Sequence, residues 1–146
     1  MTAIQSVQAV QLLHASGYMI PATLDCTVRH WAEGGFSRRV CIIRLTCAAT
    51  VADGEGDDLF DALCRVREQL EQRSLRPRCY GASLNVFRSG MCRDMSDGAV
   101  AYKLRLGHHT RSEDMIGISD DGPDVEPATV QMQEEFWRAW LNSSRS

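Results

Sequence analysis

Residues 24–51 are LDCTVRHWAEGGFSRRVCIIRLTCAATV, and they contain two runs of alternating apolar and polar residues. From Leu24 to Val28 the apolar residues alternate with polar ones, which is the period of a strand with one buried face. The segment from Ile43 to Val51 alternates in the same way. Because Glu33-Gly34-Gly35 between the two runs is a turn signal, the sequence predicts an antiparallel hairpin.

A helix is predicted next along the chain. Residues 53–58 have the composition of a loop, and a helical period follows over residues 58–73. Asp57 or Asp58 is expected to cap its first turn. The apolar stripe consists of Leu59, Phe60, Leu63, Val66 and Leu70, and the residues assigned to the opposite, solvated face are Arg65, Arg67, Glu68 and Glu71.

Both flanks of this central region contain further elements. The spacing of Ala3, Val7, Val10 and Leu13 predicts a helix over residues 2–16, although Val10 and Leu12 around Gln11 also fit the start of a strand. On the other side, Pro77 is expected to end the helix.

The second half predicts another hairpin and a final helix. Alternation over residues 80–86 and 100–106 indicates two strands joined by a long loop, and residues 115–118 a short last strand. Pro127 suits the first turn of a closing helix. The whole chain, residues 1–146, is therefore expected to be one α+β domain, with two to three helices packed on a mostly antiparallel sheet of four to five strands.

Composition excludes several classes of protein. The net charge of −3 argues against a general binder of nucleic acid or of anionic membranes. No apolar run approaches the roughly 18 residues of a membrane span, and no signal peptide is recognisable. A cytoplasmic protein is the resulting expectation.

The six cysteines are expected to be reduced and buried. They fall mostly in apolar runs, without Cys-x-x-Cys spacing, and the four histidines complete no zinc motif. The pair His108-His109 fits an exposed turn. We expect neither a metal nor a cofactor, and the sequence contains no P-loop, dinucleotide fingerprint or nucleophile elbow.

The loop from Arg88 to Gly98 is the first candidate site, because long connections are often functional. Its arginines and aspartates either contact a partner or pair with each other. Cys92 would act as a nucleophile only if a neighbouring base or positive charge lowered the pKa of its thiol. The candidates are Arg88 and Arg93, which are near in sequence, and His108 or His109 from across the sheet. The residues of this loop expected to bind a partner are Arg88, Met91, Arg93, Asp94 and Asp97.

Two other segments are candidates. The acidic turn, residues 120–126, carries Asp120, Asp121, Asp124 and Glu126. These carboxylates either mimic phosphate towards a basic partner or are solvated and cap the final helix. On that helix Phe136, Trp137 and Trp140 form an apolar stripe, which is either core or, through Trp137 and Trp140, an interface anchor.

The residues Ser89-Gly90-Met91-Cys92-Arg93-Asp94-Met95, followed by Gly98 and Ala101-Tyr102, form a pattern similar to one in small uncharacterised bacterial proteins, some of them associated with polymorphic toxin and immunity loci. The resemblance covers about residues 80–142. It implies a non-enzymatic protein that binds and neutralises a cognate toxin.

Three functions follow as hypotheses. The first is a non-catalytic cytoplasmic bacterial protein that occludes a protein partner. The second is a small enzyme or ligand-binding domain with a pocket formed by Cys92, Arg93 and Asp94. The third is a homodimer built on the face that carries Trp137 and Trp140.

Overall fold

A five-stranded antiparallel sheet is the main feature of the protein, seen in a computed structural model that describes residues 2–48, 50–89 and 96–145. Along the sheet the strands are ordered β4-β3-β2-β1-β5, so four successive hairpin strands are followed by one that returns to β1. The strands are β1 (Thr2–His14), β2 (Met19–Glu33), β3 (Phe36–Cys47), β4 (Thr50–Gly56) and β5 (Leu75–Arg78).

The predicted central hairpin is confirmed. Strands β2 and β3 pair from Thr23↔Thr46 to Glu33↔Phe36. Gly34 and Gly35 form the two-residue turn, with φ of 59° and 81°. Positive φ at both positions is the conformation that matches the twist of the flanking strands, which explains the glycines.

Helix α1 (Leu59–Glu71) packs across one face of the sheet, as predicted. Asp58 is its N-cap and accepts a hydrogen bond from the Asp61 amide at 2.7 Å. The apolar stripe of α1 is buried, but Arg67, assigned to the solvated side, is only 1% exposed. The sheet contributes to this core Val10, Leu12, Leu24, Cys26, Val28, Cys41, Ile43, Leu45 and Ala52.

The expected loop over residues 53–58 is wrong, because most of it is strand β4. Gly54 and Gly56 face α1 in this strand. A Cβ on Gly54 would collide with the Ala62 carbonyl oxygen and lie 2.8 Å from Arg65 Cβ. The glycines therefore allow close contact between helix and strand and do not mark a loop.

The expected N-terminal helix is also wrong, and the alternative of a strand holds. Strand β1 pairs with β2 over its whole length, from Thr2↔His30 to Leu13↔Met19. Val10 and Leu12 are buried on the inner face, whereas Ile4 and Val7 are 60% and 62% exposed. Both faces of half of the strand are exposed, so burial imposes no alternation of apolar and polar residues there. The apolar residues therefore fall at a spacing that also fits a helix.

Pro77 does not end the helix. Helix α1 ends at Glu71, and Ser74 turns the chain with φ of 60°. Pro77 lies in β5 and pairs with Leu12. Strand β5 is at the edge of the sheet, where a residue without an amide donor is tolerated.

A small second sheet, ordered β6-β7-β8, closes the other side of α1. Its strands are β6 (Val86–Phe87), β7 (Val100–Lys103) and β8 (Met115–Gly117). The short last strand is confirmed, and the predicted second pair of strands does form an antiparallel pair across the long loop. Its first strand is only Val86–Phe87, however, and not residues 80–86, and its second strand ends at Lys103. Tyr80–Ala82 form a 3₁₀ turn, in which Gly81 lies so close to Leu63 that a Cβ would come within 2.6 Å of its Cδ2.

Helix α2 (Val130–Asn142) ends the chain, and its N-terminus corrects two expectations. Pro127 precedes the helix. The cap is Thr129, whose hydroxyl accepts from the Met132 amide at 3.1 Å, so the carboxylates of the acidic turn do not cap it. The expected α+β class is confirmed. Within the described ranges, no helix has the length and apolar character needed to cross a bilayer.

Candidate functional site

The loop from residue 88 to residue 98 is fixed at its first end by Arg88. The Arg88 guanidinium donates to Asp58 Oδ1 at 3.1 Å and lies 5.4 Å from the centre of the Phe60 ring. Asp58 is fully buried and caps α1. A charge-assisted bond to a buried carboxylate is among the stronger hydrogen bonds in proteins. Arg88 therefore fastens the loop to the N-terminus of α1.

The other end of the loop is fixed by Asp97. Its carboxylate accepts from Arg39 Nη1 at 2.8 Å and lies 3.4 Å from His30 Nε2. Its backbone oxygen accepts from the Leu59 amide at 2.7 Å, and its φ of 56° is left-handed. The next residue, Gly98, packs so closely on Asp58 that a Cβ would lie 2.8 Å from the Asp58 Cβ.

Both ends of the loop therefore meet at the start of α1. We call the five residues that hold them the loop anchor: His30, Arg39, Asp58, Arg88 and Asp97. The arginines and aspartates of the loop were expected either to contact a partner or to pair with each other. Arg88 and Asp97 instead pair with the scaffold. Met91, Cys92, Arg93 and Asp94 lie outside the described residues.

An apolar cleft of about 240 Å³ adjoins the loop anchor. Ile4 and Val28 form one wall, and Leu59 and Ala99 form the other, with Asp97 at the edge. Cys26 also lines the cleft, and burial raises the pKa of its thiol. A protonated thiol is a poor nucleophile, so the chemistry of the cleft is that of an apolar pocket with one carboxylate beside it.

Three of the four carboxylates of the acidic turn have partners within the protein, those of Asp120, Asp121 and Asp124. Asp121 lies 3.2 Å from Arg78 Nε, and Asp124 accepts from Lys103 Nζ at 2.8 Å and from the Tyr80 hydroxyl at 2.6 Å. Hydrogen bonds from Lys103 and Tyr80 lower the pKa of Asp124 to about 2. Asp120 accepts from the uncharged Gln8 at 3.1 Å. Two of the four expected anions are thus balanced by a neighbouring cation.

Trp137 is part of an aromatic stack between α2 and the small sheet. Its ring lies 4.5 Å from that of Phe87, nearly parallel, and Phe87 in turn contacts Phe60 at 5.1 Å. Trp137 is half-buried, so it is neither fully core nor an isolated surface anchor. Trp140 is also half-buried and donates to the His108 carbonyl at 2.9 Å.

The cysteines and histidines do not assemble a reactive centre within the ranges that the structure describes. Cys26, Cys41, Cys47, Cys64 and Cys79 are free thiols. Burial raises the pKa of Cys41 and of Cys79 to about 11. No group of three or more His, Cys, Asp or Glu among the described residues could hold a metal ion.

Sequence reasoning missed the buried polar contact between the helices. Arg67 of α1 donates to Gln133 of α2 at 2.6 Å, and to the carbonyls of Gly81 and Ala128 at 3.2 and 2.9 Å. The helical pattern assigned Arg67 to solvent, because it lies at the border of the apolar stripe. No pattern in the sequence indicates that α2 covers Arg67.

Sequence comparison adds no family to this description. No protein-family model matches the chain, and no curated protein matches it.

Proposed function

We propose that this chain is a non-catalytic binding protein of the immunity type, which acts in the bacterial cytoplasm by occluding a cognate protein toxin. The observation that carries the proposal is the loop anchor. Arg88 binds Asp58 at the start of α1, and Asp97 accepts from the Leu59 amide and binds Arg39 of β3, so both ends of one long loop are held on the scaffold. A loop held on a rigid scaffold is a common form of binding surface, because less conformational entropy is lost on association.

The binding surface consists of the loop and of what lies around its anchor. His30 and Arg39 are exposed enough to contact a partner, with side-chain exposures of 41% and 21%. Met91, Arg93 and Asp94 remain proposed contacts within the loop. The acidic turn contributes less electrostatic steering than its composition indicates, since Arg78 and Lys103 balance Asp121 and Asp124.

The experiment captures the partner with tagged chain from its own host, at low and moderate salt. Asp97→Asn removes the charge that holds Arg39, and we expect about tenfold less partner on the resin. Glu134→Gln is the matched control, because it breaks a similar ion pair of 2.9 Å with Arg138 on α2, away from the loop.

Function is then tested directly. A captured protein that stops growth when produced alone, and permits growth when produced with this chain, supports the proposal. Captured proteins that are harmless alone, or a partner retained equally by Asp97→Asn and Glu134→Gln, contradict it.

A second candidate function is the binding of a small apolar ligand, which the cleft beside Asp97 favours. Its walls are apolar and its rim carries a few polar groups, as in many ligand sites. A compound that raises the melting temperature of the wild type, and not that of Ala99→Trp, would support this function. No shift across a library of apolar acids, amines and alcohols would count against it.

A further inference from the structure

The sheet has a second face, which points away from α1 and which we call the outer face. Its side chains include Val7, Phe36 and Val51, which are 62%, 67% and 54% exposed. Trp31 and Ile42 on the same face are half-buried. These apolar side chains are spread over the face and do not form one patch, because Phe36 lies at the hairpin turn, Val7 on β1 and Val51 on the edge strand β4. The charges of this face therefore matter more for recognition than its apolar area.

Charge is distributed unevenly along this face. Arg29 and Arg38 lie near the turn of the β2–β3 hairpin, and neither has a carboxylate partner among the residues that the structure describes. Asp25 lies four residues from Arg29 on the same strand and therefore on the same face. Its carboxylate accepts only from the uncharged Gln5 amide, at 2.9 Å, within the described part of the chain.

This pattern is complementary to itself. Consider a second copy placed on the outer face and rotated by 180° about an axis that crosses the strands at Thr27. Arg29 of each copy then lies over Asp25 of the other, and the exposed Val7 lies over Ala3. Ile42, which pairs with Thr27, meets Ile42 of the second copy. Glu55 pairs with Ile42, so the same rotation brings it towards Glu55 of the second copy. It lies on β4, the edge strand, where two twisted sheets diverge and the two carboxylates are separated.

The face is large enough for such an interface. The eleven-pair ladder of β2 and β3 is flanked by β1 but not by β5, which pairs only with residues 11–14 of β1. Three strands, each about 4.8 Å wide, over eleven residues at about 3.3 Å per residue give roughly 500 Å². Two copies then bury about 1,000 Å² in total, which is the lower limit for a specific interface. Around the two-fold axis the face carries Gln5, Thr27 and Ile42, so the charged pairs of Arg29 and Asp25 lie close to the centre of the interface.

We propose that the outer face binds a second copy of this chain, sheet against sheet, with Arg29 of each copy paired to Asp25 of the other. This two-fold arrangement leaves the loop anchor of both copies accessible, because that site lies at the start of α1 on the inner side. Dimer formation through the outer face does not depend on toxin binding at the loop, so an experiment can reject either proposal without affecting the other.

Sedimentation equilibrium of the full chain tests the pairing by charge reversal. We expect a dimer for the wild type, weakened about tenfold or more by Arg29→Glu alone and by Asp25→Arg alone. The double variant restores opposite charges across the interface and should recover most of the affinity. Arg105→Glu, a reversal at an exposed loop residue, is the matched control and should change nothing.

Thermal melts followed by circular dichroism verify that each variant is folded. If Asp25→Arg melts far below the wild type because Arg44 is its strand neighbour, Asp25→Asn tests the same pair without a like charge. A wild type that stays monomeric at every concentration overturns the proposal, and so does a dimer without recovery in the double variant. A monomer that binds a heparin column through Arg29 and Arg38 also overturns it, in favour of a polyanionic partner.

Discussion

Arg67 and Gln133 join the two helices through a hydrogen bond of 2.6 Å, and both side chains are only 1% exposed. No carboxylate within the described ranges forms an ion pair with this arginine. Its guanidinium donates to carbonyl oxygens through Nη1 and Nη2, while the buried Nε has no acceptor among the described residues, and burial lowers its pKa. A buried charge with only dipolar partners is costly, so the contact depends on all of its acceptors being present.

Replacing Gln133 by Leu should destabilise the protein by about 2–4 kcal/mol, because Arg67 stays buried with one acceptor fewer. Urea unfolding of the wild type, Gln133→Leu, Arg67→Met and the double variant measures this effect. We expect the double variant to be more stable than the sum of the single losses implies. Strict additivity would show that the two side chains do not interact.

Asp58 should be the most sensitive residue of the loop anchor, because it both caps α1 and holds Arg88. Asp58→Ala removes both contacts and should cost about 3 kcal/mol in unfolding free energy. Asp58→Asn keeps the cap, which asparagine forms well, and should cost clearly less. Denaturant unfolding compares the two, and equal losses would mean that the cap contributes nothing.

Asp124 should stabilise the fold at neutral pH and stop doing so in acid. The pKa of Asp124 in the folded protein is about 2, below the ordinary value of 3.8. Its contribution to the free energy of unfolding is therefore complete above pH 3.8 and is lost as the pH falls through 2. The melting temperatures of the wild type and Asp124→Asn should therefore differ at pH 7 and converge near pH 2. An NMR titration with a midpoint near 4 would contradict the assignment.

The thiols should differ in their rates of alkylation at pH 7. Cys41 and Cys79 have no exposed surface and pKa values of about 11, so they should react only when the protein unfolds. Cys47 and Cys64 are partly exposed and should react earlier. Peptide mass mapping over time gives the order, and early labelling of Cys79 would show that its site opens readily.

The sequence predicted those parts of the fold in which local pattern and burial agree. The β2–β3 hairpin combines strict alternation with a two-glycine turn, and α1 combines a full apolar stripe with a capping aspartate. Prediction failed at β4 because glycine normally indicates a loop, whereas Gly54 is required by the approach of α1. That requirement is tertiary and has no local signal.

The candidate site was predictable only as a segment. Length and composition identified the loop from Arg88 to Gly98, but not the partners of its ends. Asp58 and Arg39 are 30 and 58 residues away in sequence from Arg88 and Asp97, respectively. The carboxylates of the acidic turn were identified as charges, yet the cations that balance them come from β5 and β7.

The strand order also has a consequence for the order of folding. Strands β1 to β4 form through hairpins between neighbours, which close short loops and are fast. Strand β5 must instead find β1, where Gln11 pairs with Arg78 across most of the first half of the chain. On the ribosome, the four hairpin strands emerge before α1, so their apolar face is bare until the helix has emerged as well. Aggregation during synthesis should therefore increase most when translation pauses after β4 has left the ribosome and before α1 has left it.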